Sequence, residues 1–418
     1  MPPPTTVGQD AEVPDQPAVI PLTEPAEGVP PVVDTPEALA AVVEAFRSGT
    51  GPVAVDAERA SGYRYGQRTY LVQLRRAGAG TALVDPVPLP DLGALSSALT
   101  GVEWVLHAAS QDLPGLVEQN MRPDAVFDTE LAARLLGMER VGLAAVVAEV
   151  LGLGLAKEHS AVDWSTRPLP GEWLRYAALD VEVLLELRAE LGRRLEEAGK
   201  AEWARQEFEA VRTAQPAPPR VDPWRRISGL HTLRDARRVA VARELWLLRD
   251  AEARRRDLSP GRVLPDAAIV AAAAALPTSL EQLVALRPFS GKATRRKAEQ
   301  WFSAVQRALG LPDAALPSVR GPRGDGPPPP RSWADRDPAA AARLTAAREV
   351  ITGLAEEHAV PVENLLQPDL LRRVCWSPPH PTDAASVHEA LLTGGARPWQ
   401  ADLVAAPLAA AFADAAAA

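Results

Sequence analysis

The chain has 418 residues, 47% of them hydrophobic, a formal net charge of −9 and a single cysteine. That length exceeds one ordinary domain and provides for two or three. The lone Cys375 excludes an intrachain disulfide and a cysteine-based zinc site, and the negative balance taken alone argues against a nucleic-acid partner.

Residues 1–30 are crowded with proline and too poor in apolar residues to offset the entropy of ordering, so they are expected to be disordered. No basic segment followed by an apolar one marks a secretory signal. The longest apolar runs, 269–276 and 403–412, are too short to span a bilayer. The chain is therefore expected to be soluble and cytoplasmic, with no membrane association. Asp34-Thr35-Pro36-Glu37 then opens a helix, with a capping residue, an early proline and an acid in the first turn. Leu39, Val42, Val43 and Phe46 give that helix a core face.

Short apolar runs at 52–56, 69–74, 81–85 and 103–107 predict strands. The segment 59–68 between the first two, rich in Gly, Tyr and Arg, predicts a loop. A helix is expected near 92–99. Further helices are expected over 112–119, 128–136 and 143–151, with one long helix over 171–198. Strands first and helices after indicate an α/β domain over 31–213.

A linker at 214–221 leads to a module at 222–310 that is helical throughout, with helices over 230–254, 265–275, 279–286 and 293–309. Residues 220–310 hold 18 Lys and Arg against 9 Asp and Glu, a local charge of +9, which leaves −18 for the remainder. An acidic body with a basic module assigns catalysis and gripping to different parts. A Pro/Gly linker at 311–332 precedes a second helical set over 333–418, with helices at 338–358, 362–366, 370–374, 383–392 and 400–413. Similar lengths and order suggest a degenerate repeat.

Chemistry concentrates in the α/β domain. The first strand runs Val53-Ala54-Val55-Asp56-Ala57-Glu58, and alternation puts Asp56 and Glu58 on one face. Asp112 follows a strand end, and Tyr176 and Asp180, four apart, share a helix face. Gathered carboxylates repel unless a cation neutralises them. Mg²⁺ and Mn²⁺ favour such all-oxygen sites, and two of them ~3.5–4 Å apart stabilise an in-line phosphoryl displacement. Asp180 would ligate metal while the Tyr176 hydroxyl hydrogen-bonds the attacking water.

Three strings, Asp56-Ala57-Glu58, His107-x-x-x-Gln111-Asp112 and Tyr176-x-x-x-Asp180, resemble the exonuclease motifs of the DEDD superfamily of 3′→5′ exonucleases, in its Tyr-containing branch, and most closely its ribonuclease D family. Val126-Phe127-Asp128-Thr129-Glu130 and Asp163-Trp164-Ser165-Thr166-Arg167 add to that resemblance. It implies a ribonuclease H-like fold and two divalent ions, Mg²⁺ or Mn²⁺, held by Asp56, Glu58, Asp112 and Asp180. Tyr176 orients or helps deprotonate the water. His107, Gln111 and Asp128 support the site, and Ala57, where the family commonly has Thr, should point away from the metals.

Tyr63, Arg64, Tyr65 and Arg68 of the 59–68 loop are candidates to stack on and hold the terminal nucleotide. Lys157 and Arg167 are candidates to pair with phosphate. Residues 222–310 resemble the helicase-and-RNase-D C-terminal (HRDC) domain through Arg262-Val263-Leu264-Pro265-Asp266 and Leu286-Arg287-Pro288-Phe289-Ser290-Gly291. There Lys292, Arg295, Arg296 and Lys297, near a helix N-terminus, are candidates to bind nucleic acid. The 333–418 set resembles a second, divergent copy without that basic cluster. The expected activity is trimming of RNA 3′ ends, tRNA precursors among them, with release of nucleoside 5′-monophosphates and no obligate protein partner. A single-stranded DNA exonuclease and an inactive RNA-binding scaffold stand as the alternatives.

Overall fold

A computed structural model describes residues 19–155, 161–216, 218–289, 291–321 and 326–417. The α/β domain is built on a six-stranded mixed sheet. Its strands are β2 (Val32–Val33), β3 (Thr50–Arg59), β4 (Thr69–Ala77), β5 (Gly80–Val84), β6 (Glu103–Leu106) and β7 (Ala125–Asp128), in spatial order β2-β5-β4-β3-β6-β7. The β3–β4 and β4–β5 pairs are antiparallel; β3–β6, β6–β7 and β2–β5 are parallel. The helices are α1 (Pro36–Ser48), α2 (Gly93–Ala98), α3 (Ala109–Glu118), α4 (Thr129–Leu135), α5 (Leu143–Leu151), α6 (Gly171–Glu182), α7 (Leu184–Glu197) and α8 (Ala201–Arg212).

Alternation along β3 explains the layering. Val53, Val55 and Ala57 bury into one core with Leu39, Val43 and Phe46 of α1, while Ala54 joins the core on the opposite face. The Ala57 side chain therefore lies in that α1-side core, away from the face of Asp56 and Glu58, as expected.

Several expectations are corrected. Residues 19–30 are built into the fold: Ile20–Leu22 (β1) pairs in parallel with Leu153–Leu155 (β8) as a separate two-stranded sheet. Residues 1–18 lie outside the described residues. The helix expected over 128–136 is α4, capped by Asp128, but the strand that ends at Asp128, β7, was not expected. The single helix over 171–198 is two helices, broken at the buried Val183, with no glycine or proline to mark the break. Helix α8 was not expected at all.

The middle module holds α9 (Ala236–Arg256), α10 (Pro260–Val263), α11 (Asp266–Ala275), α12 (Leu280–Ala285), α13 (Lys292–Arg295) and α14 (Ala298–Leu309) around its own core of Trp224, Leu245, Ile269, Phe289 and Trp301. The long helix starts six residues later than expected, because Leu230–Thr232 is a separate 3₁₀ turn and Asp235 supplies the N-cap.

The last module holds α15 (Trp333–Arg336), α16 (Pro338–Glu357), α17 (Val362–Leu365), α18 (Pro368–Trp376), α19 (Ala384–Thr393) and α20 (Pro398–Ala417). Both modules run a buried tryptophan, a long helix, a four-residue helix and a medium one in that order. The two dock differently. The last module shares one continuous core with the α/β domain, from Phe127, Leu187 and Phe208 to Trp333, Leu344 and Trp399. Trp399 stacks on Trp203 at 4.5 Å and donates through Nε1 to Glu207 at 3.0 Å. Lys200 Nζ donates to the Leu135 and His358 carbonyls, both at 2.6 Å, tying together the ends of α4 and α16. Gly137 closes the seam, since a Cβ there would meet the Ala359 carbonyl at 2.7 Å.

Candidate exonuclease site

Helix α6 packs on β3, β4 and β5, and α3 packs on β3. These two helices bring their acids to the β3 pair. Asp56, Glu58 and Asp180 each offer a carboxylate oxygen, and those atoms lie within 4.8 Å of one another. Asp112 adjoins them from the first turn of α3, where the helix dipole favours a carboxylate. Gly115 lets α3 close on β4: a Cβ there would meet the buried Thr69 hydroxyl at 2.5 Å.

Burial acts on all four acids, and repulsion from neighbouring carboxylates acts on Glu58, Asp112 and Asp180. The Asp56 carboxyl is raised by burial. Glu58 and Asp180 are pushed well up by burial and then by neighbouring carboxylates, Asp56 first among them. Asp112 is pushed up to about 8, by burial and then by Asp56. Such a group holds protons unless cations replace them. The donor set is all carboxylate oxygen, which suits hard divalent cations.

Tyr176 hydrogen-bonds Asp180 one helical turn away, and burial followed by the Asp180 charge pushes its phenol far above the ordinary value. Its ring packs beside Trp164, which in turn packs on Trp173.

Asp128 shapes the approach to Asp112. Its Oδ2 accepts from Ala109 N–H at 2.8 Å, and its Oδ1 accepts from the N–H groups of Ala108, Glu130 and Leu131. One side chain thereby secures the start of α3 and the start of α4. His107 is half-buried, with Nδ1 2.8 Å from the Thr129 hydroxyl, and burial lowers it to about 4, so the ring is neutral. Gln111 is exposed and contributes its backbone carbonyl, which accepts from Arg59 Nη1 at 2.7 Å.

Other expectations fall away. Arg167 does not face open phosphate space: its guanidinium clasps Asp85 at 2.6 and 2.8 Å and donates to the Tyr70, Trp164 and Thr166 carbonyls. Tyr63 and Tyr65 face the middle module instead of a nucleotide. Arg262 lies over the Tyr63 ring at 4.1 Å, and the Tyr65 hydroxyl donates to Asp250 at 3.0 Å while accepting from Arg254. Arg64 pairs with Asp257 and donates to Ser165. Arg68 sits over the Tyr70 ring.

Lys297 is paired with Glu252, leaving Lys292, Arg295 and Arg296 exposed on or beside α13, a four-residue helix separate from α14. Lys157 and Ser290 lie outside the described residues. Two site residues escaped the sequence reading. Buried Gln73, opposite Asp56 on β4, reaches Glu58 Oε1 at 3.5 Å, and its signal is an amide between the apolar Leu71-Val72 and Leu74. The other is Arg59, directly after the acidic pair.

Comparison with known proteins accords with this geometry. The family model described as 3'-5' exonuclease matches residues 30–196, that of the HRDC domain matches 238–305, and that of the 3' to 5' exonuclease C-terminal domain matches 326–412. Ribonuclease D of Gluconacetobacter diazotrophicus is 34% identical over 311 residues, covering 72% of this chain and 77% of that protein. The chain belongs to the ribonuclease D family. Ribonuclease D of Acidiphilium cryptum is 33% identical over 355 residues, 79% of this chain and 87% of that one.

Among solved structures, a protein from Bifidobacterium adolescentis superimposes with a TM-score of 0.87 at 38% identity, covering 94% of this chain and all of that one. Escherichia coli RNase D, described as an exoribonuclease involved in structured RNA processing, gives 0.65 at 28% identity over 92% and 98%. The model that matches the last module is that of a 3' to 5' exonuclease C-terminal domain, where the sequence suggested a second HRDC copy. No described helix is long and apolar enough to cross a membrane.

Proposed function

We propose that this 3′→5′ exoribonuclease trims RNA 3′ ends, including those of structured RNAs such as tRNA precursors, one nucleotide at a time, releasing nucleoside 5′-monophosphates. The observation that carries the proposal is the meeting of Asp56, Glu58 and Asp180 within 4.8 Å, with Asp112 and Tyr176 beside them, in a chain of this family. Asp56, Glu58, Asp112 and Asp180 are the residues that would hold two divalent cations, Mg²⁺ or Mn²⁺. Such ions supply charge stabilisation to the entering and leaving oxygens of an in-line displacement.

The remaining work falls to the chain. Tyr176, whose hydroxyl meets Asp180 one turn along α6, orients or helps deprotonate the attacking water. Asp128 and Gly115 fix α3 so that Asp112 faces β3. Lys292, Arg295 and Arg296 present exposed positive charge to the RNA body, contacts that hold a polyanion without reading sequence. No membrane or obligate protein partner enters this scheme.

The test is degradation of 5′-labelled RNA and matched DNA oligomers with Mn²⁺ or Mg²⁺, with EDTA as control. A ladder shortening from the 3′ end of the RNA, lost in EDTA and in Asp56→Ala with RNA binding retained, is the expected result. Preferred digestion of the DNA would reassign the substrate. Turnover in EDTA or in Asp56→Ala would remove the metal site from the reaction.

A further inference from the structure

Arg59 is the last residue of β3 and follows Glu58 directly. Strict alternation would turn its side chain to the face opposite Asp56 and Glu58. The β3–β4 ladder is interrupted at this point: Glu58 stands opposite Leu71 but Arg59 opposite Thr69, which leaves Tyr70 as the extra residue. Irregularities of this kind re-aim side chains beside active sites. Here the guanidinium comes to the acidic side. Its Nη2 lies 3.6 Å from Asp112 Oδ1, and its charge bears on Asp56 and Glu58 as well.

The fork is fastened by one arm only. Nη1 donates to the Gln111 carbonyl at 2.7 Å, the one hydrogen bond of this guanidinium among the described residues. The Asp112 contact is longer than a hydrogen bond, and 24% of the side chain remains exposed. A cation facing the same carboxylates as the divalent ions competes with them for Asp112. Divalent ions held by Asp112 would take up its charge and leave the second arm of the guanidinium free toward solvent. A planar guanidinium with spare donors matches a phosphate edge.

We propose that Arg59 is a phosphate-binding residue of the site: it steadies Asp112 before the metal ions bind and then receives a non-bridging phosphate oxygen of the RNA 3′ end. This inference rests on the exoribonuclease reading above.

Full-length wild type, Arg59→Gln and Arg59→Lys are compared by Mn²⁺ titration calorimetry without RNA, by thermal midpoint, and by degradation of a 5′-labelled oligoribonucleotide across a salt series. Arg59→Gln is expected to bind Mn²⁺ more tightly than the wild type and to have a lower thermal midpoint in its absence. Its KM should rise about tenfold or more, the effect of one lost hydrogen bond to a charged group. The slope of log kcat/KM against log salt should become shallower by about 0.7, one phosphate contact on a single strand. Arg59→Lys keeps the slope. An unchanged slope and KM in Arg59→Gln overturns the inference, as does weakened Mn²⁺ binding, which would make Arg59 a strut for Asp112 and nothing more. A wild type that yields no 3′ ladder with Mn²⁺ fails the functional reading itself and this inference with it, whereas a wild-type ladder with an indifferent Arg59→Gln sinks Arg59 alone.

Discussion

Asp128 holds Ala108 in a left-handed backbone conformation. Ala108 has φ 61°, a region that non-glycine residues rarely occupy, and its N–H donates to Asp128 Oδ1 at 3.1 Å. The next N–H, of Ala109, donates to Oδ2. The chain turns there from β6 into α3, and the turn decides where Asp112 faces. Asp128→Ala leaves four N–H groups, two of them buried, short of an acceptor. It should cost about 2–4 kcal/mol of stability, seen in chemical denaturation, with a loss of turnover exceeding the loss of folded protein at the assay temperature. Turnover that simply tracks the folded fraction would reduce Asp128 to a helix cap.

Asp180→Asn separates stability from activity. The acid is buried among like charges, so its removal relieves repulsion in the metal-free protein. The variant's metal-free thermal midpoint at pH 8 should exceed that of the wild type, while RNA cleavage falls about a thousandfold or more, the scale of several kcal/mol of lost charge stabilisation. A lower midpoint would mean that the hydrogen bond with Tyr176 outweighs the repulsion.

Tyr176→Phe keeps the ring against Trp164 and removes only the hydroxyl. Cleavage should slow by about 10²–10⁴-fold with Mn²⁺ affinity unchanged by calorimetry. A wild-type rate in this variant would take the tyrosine out of the reaction.

The metal-free protein should lose stability as pH rises. Asp112 has its folded value near 8 against an ordinary 3.8, so protons bind the folded state more strongly than the unfolded one. The stability this contributes is complete below about pH 4 and is lost as pH climbs toward 8. Glu58 and Asp180 shift in the same direction. Divalent cations reverse the trend, so the rise in thermal midpoint on adding Mn²⁺ should be larger at pH 8 than at pH 6, with protons released on binding. A midpoint shift independent of pH would show that the four acids are not the ligands.

Tyr65→Phe should loosen the middle module without unfolding anything. The lost hydroxyl joins Asp250 and Arg254, and each such bond is worth about 1 kcal/mol. Amide exchange should quicken at the 59–68 loop and the end of α9, with the cores unchanged. Uniform quickening throughout α9 would indicate instead that the module's own packing depends on this contact.

Much of the site was legible because strand alternation and helix turns are local rules. Asp56 with Glu58, and Tyr176 with Asp180, follow from spacings of two and four. The parts that were not legible depend on partners far along the chain. Arg167 reads as a free cation until Asp85, 82 residues away, closes on it. The loop tyrosines read as nucleotide platforms until Asp250 and Arg262 meet them. The β1–β8 pair joins two three-residue strands across more than a hundred positions, too short for any periodicity to show. Arg59 was hidden by the alternation rule itself, which the irregularity after Glu58 breaks.

The unbroken apolar interior from Phe127 to Trp399 makes the first and last modules a single folding unit, interrupted in sequence by a self-contained guest. A fragment ended after α8 would bare Trp203, which packs on Trp399 and His358, to water and should precipitate. Excising the guest and splicing its flanks should leave the first and last modules folded together, without the exposed Lys292, Arg295 and Arg296.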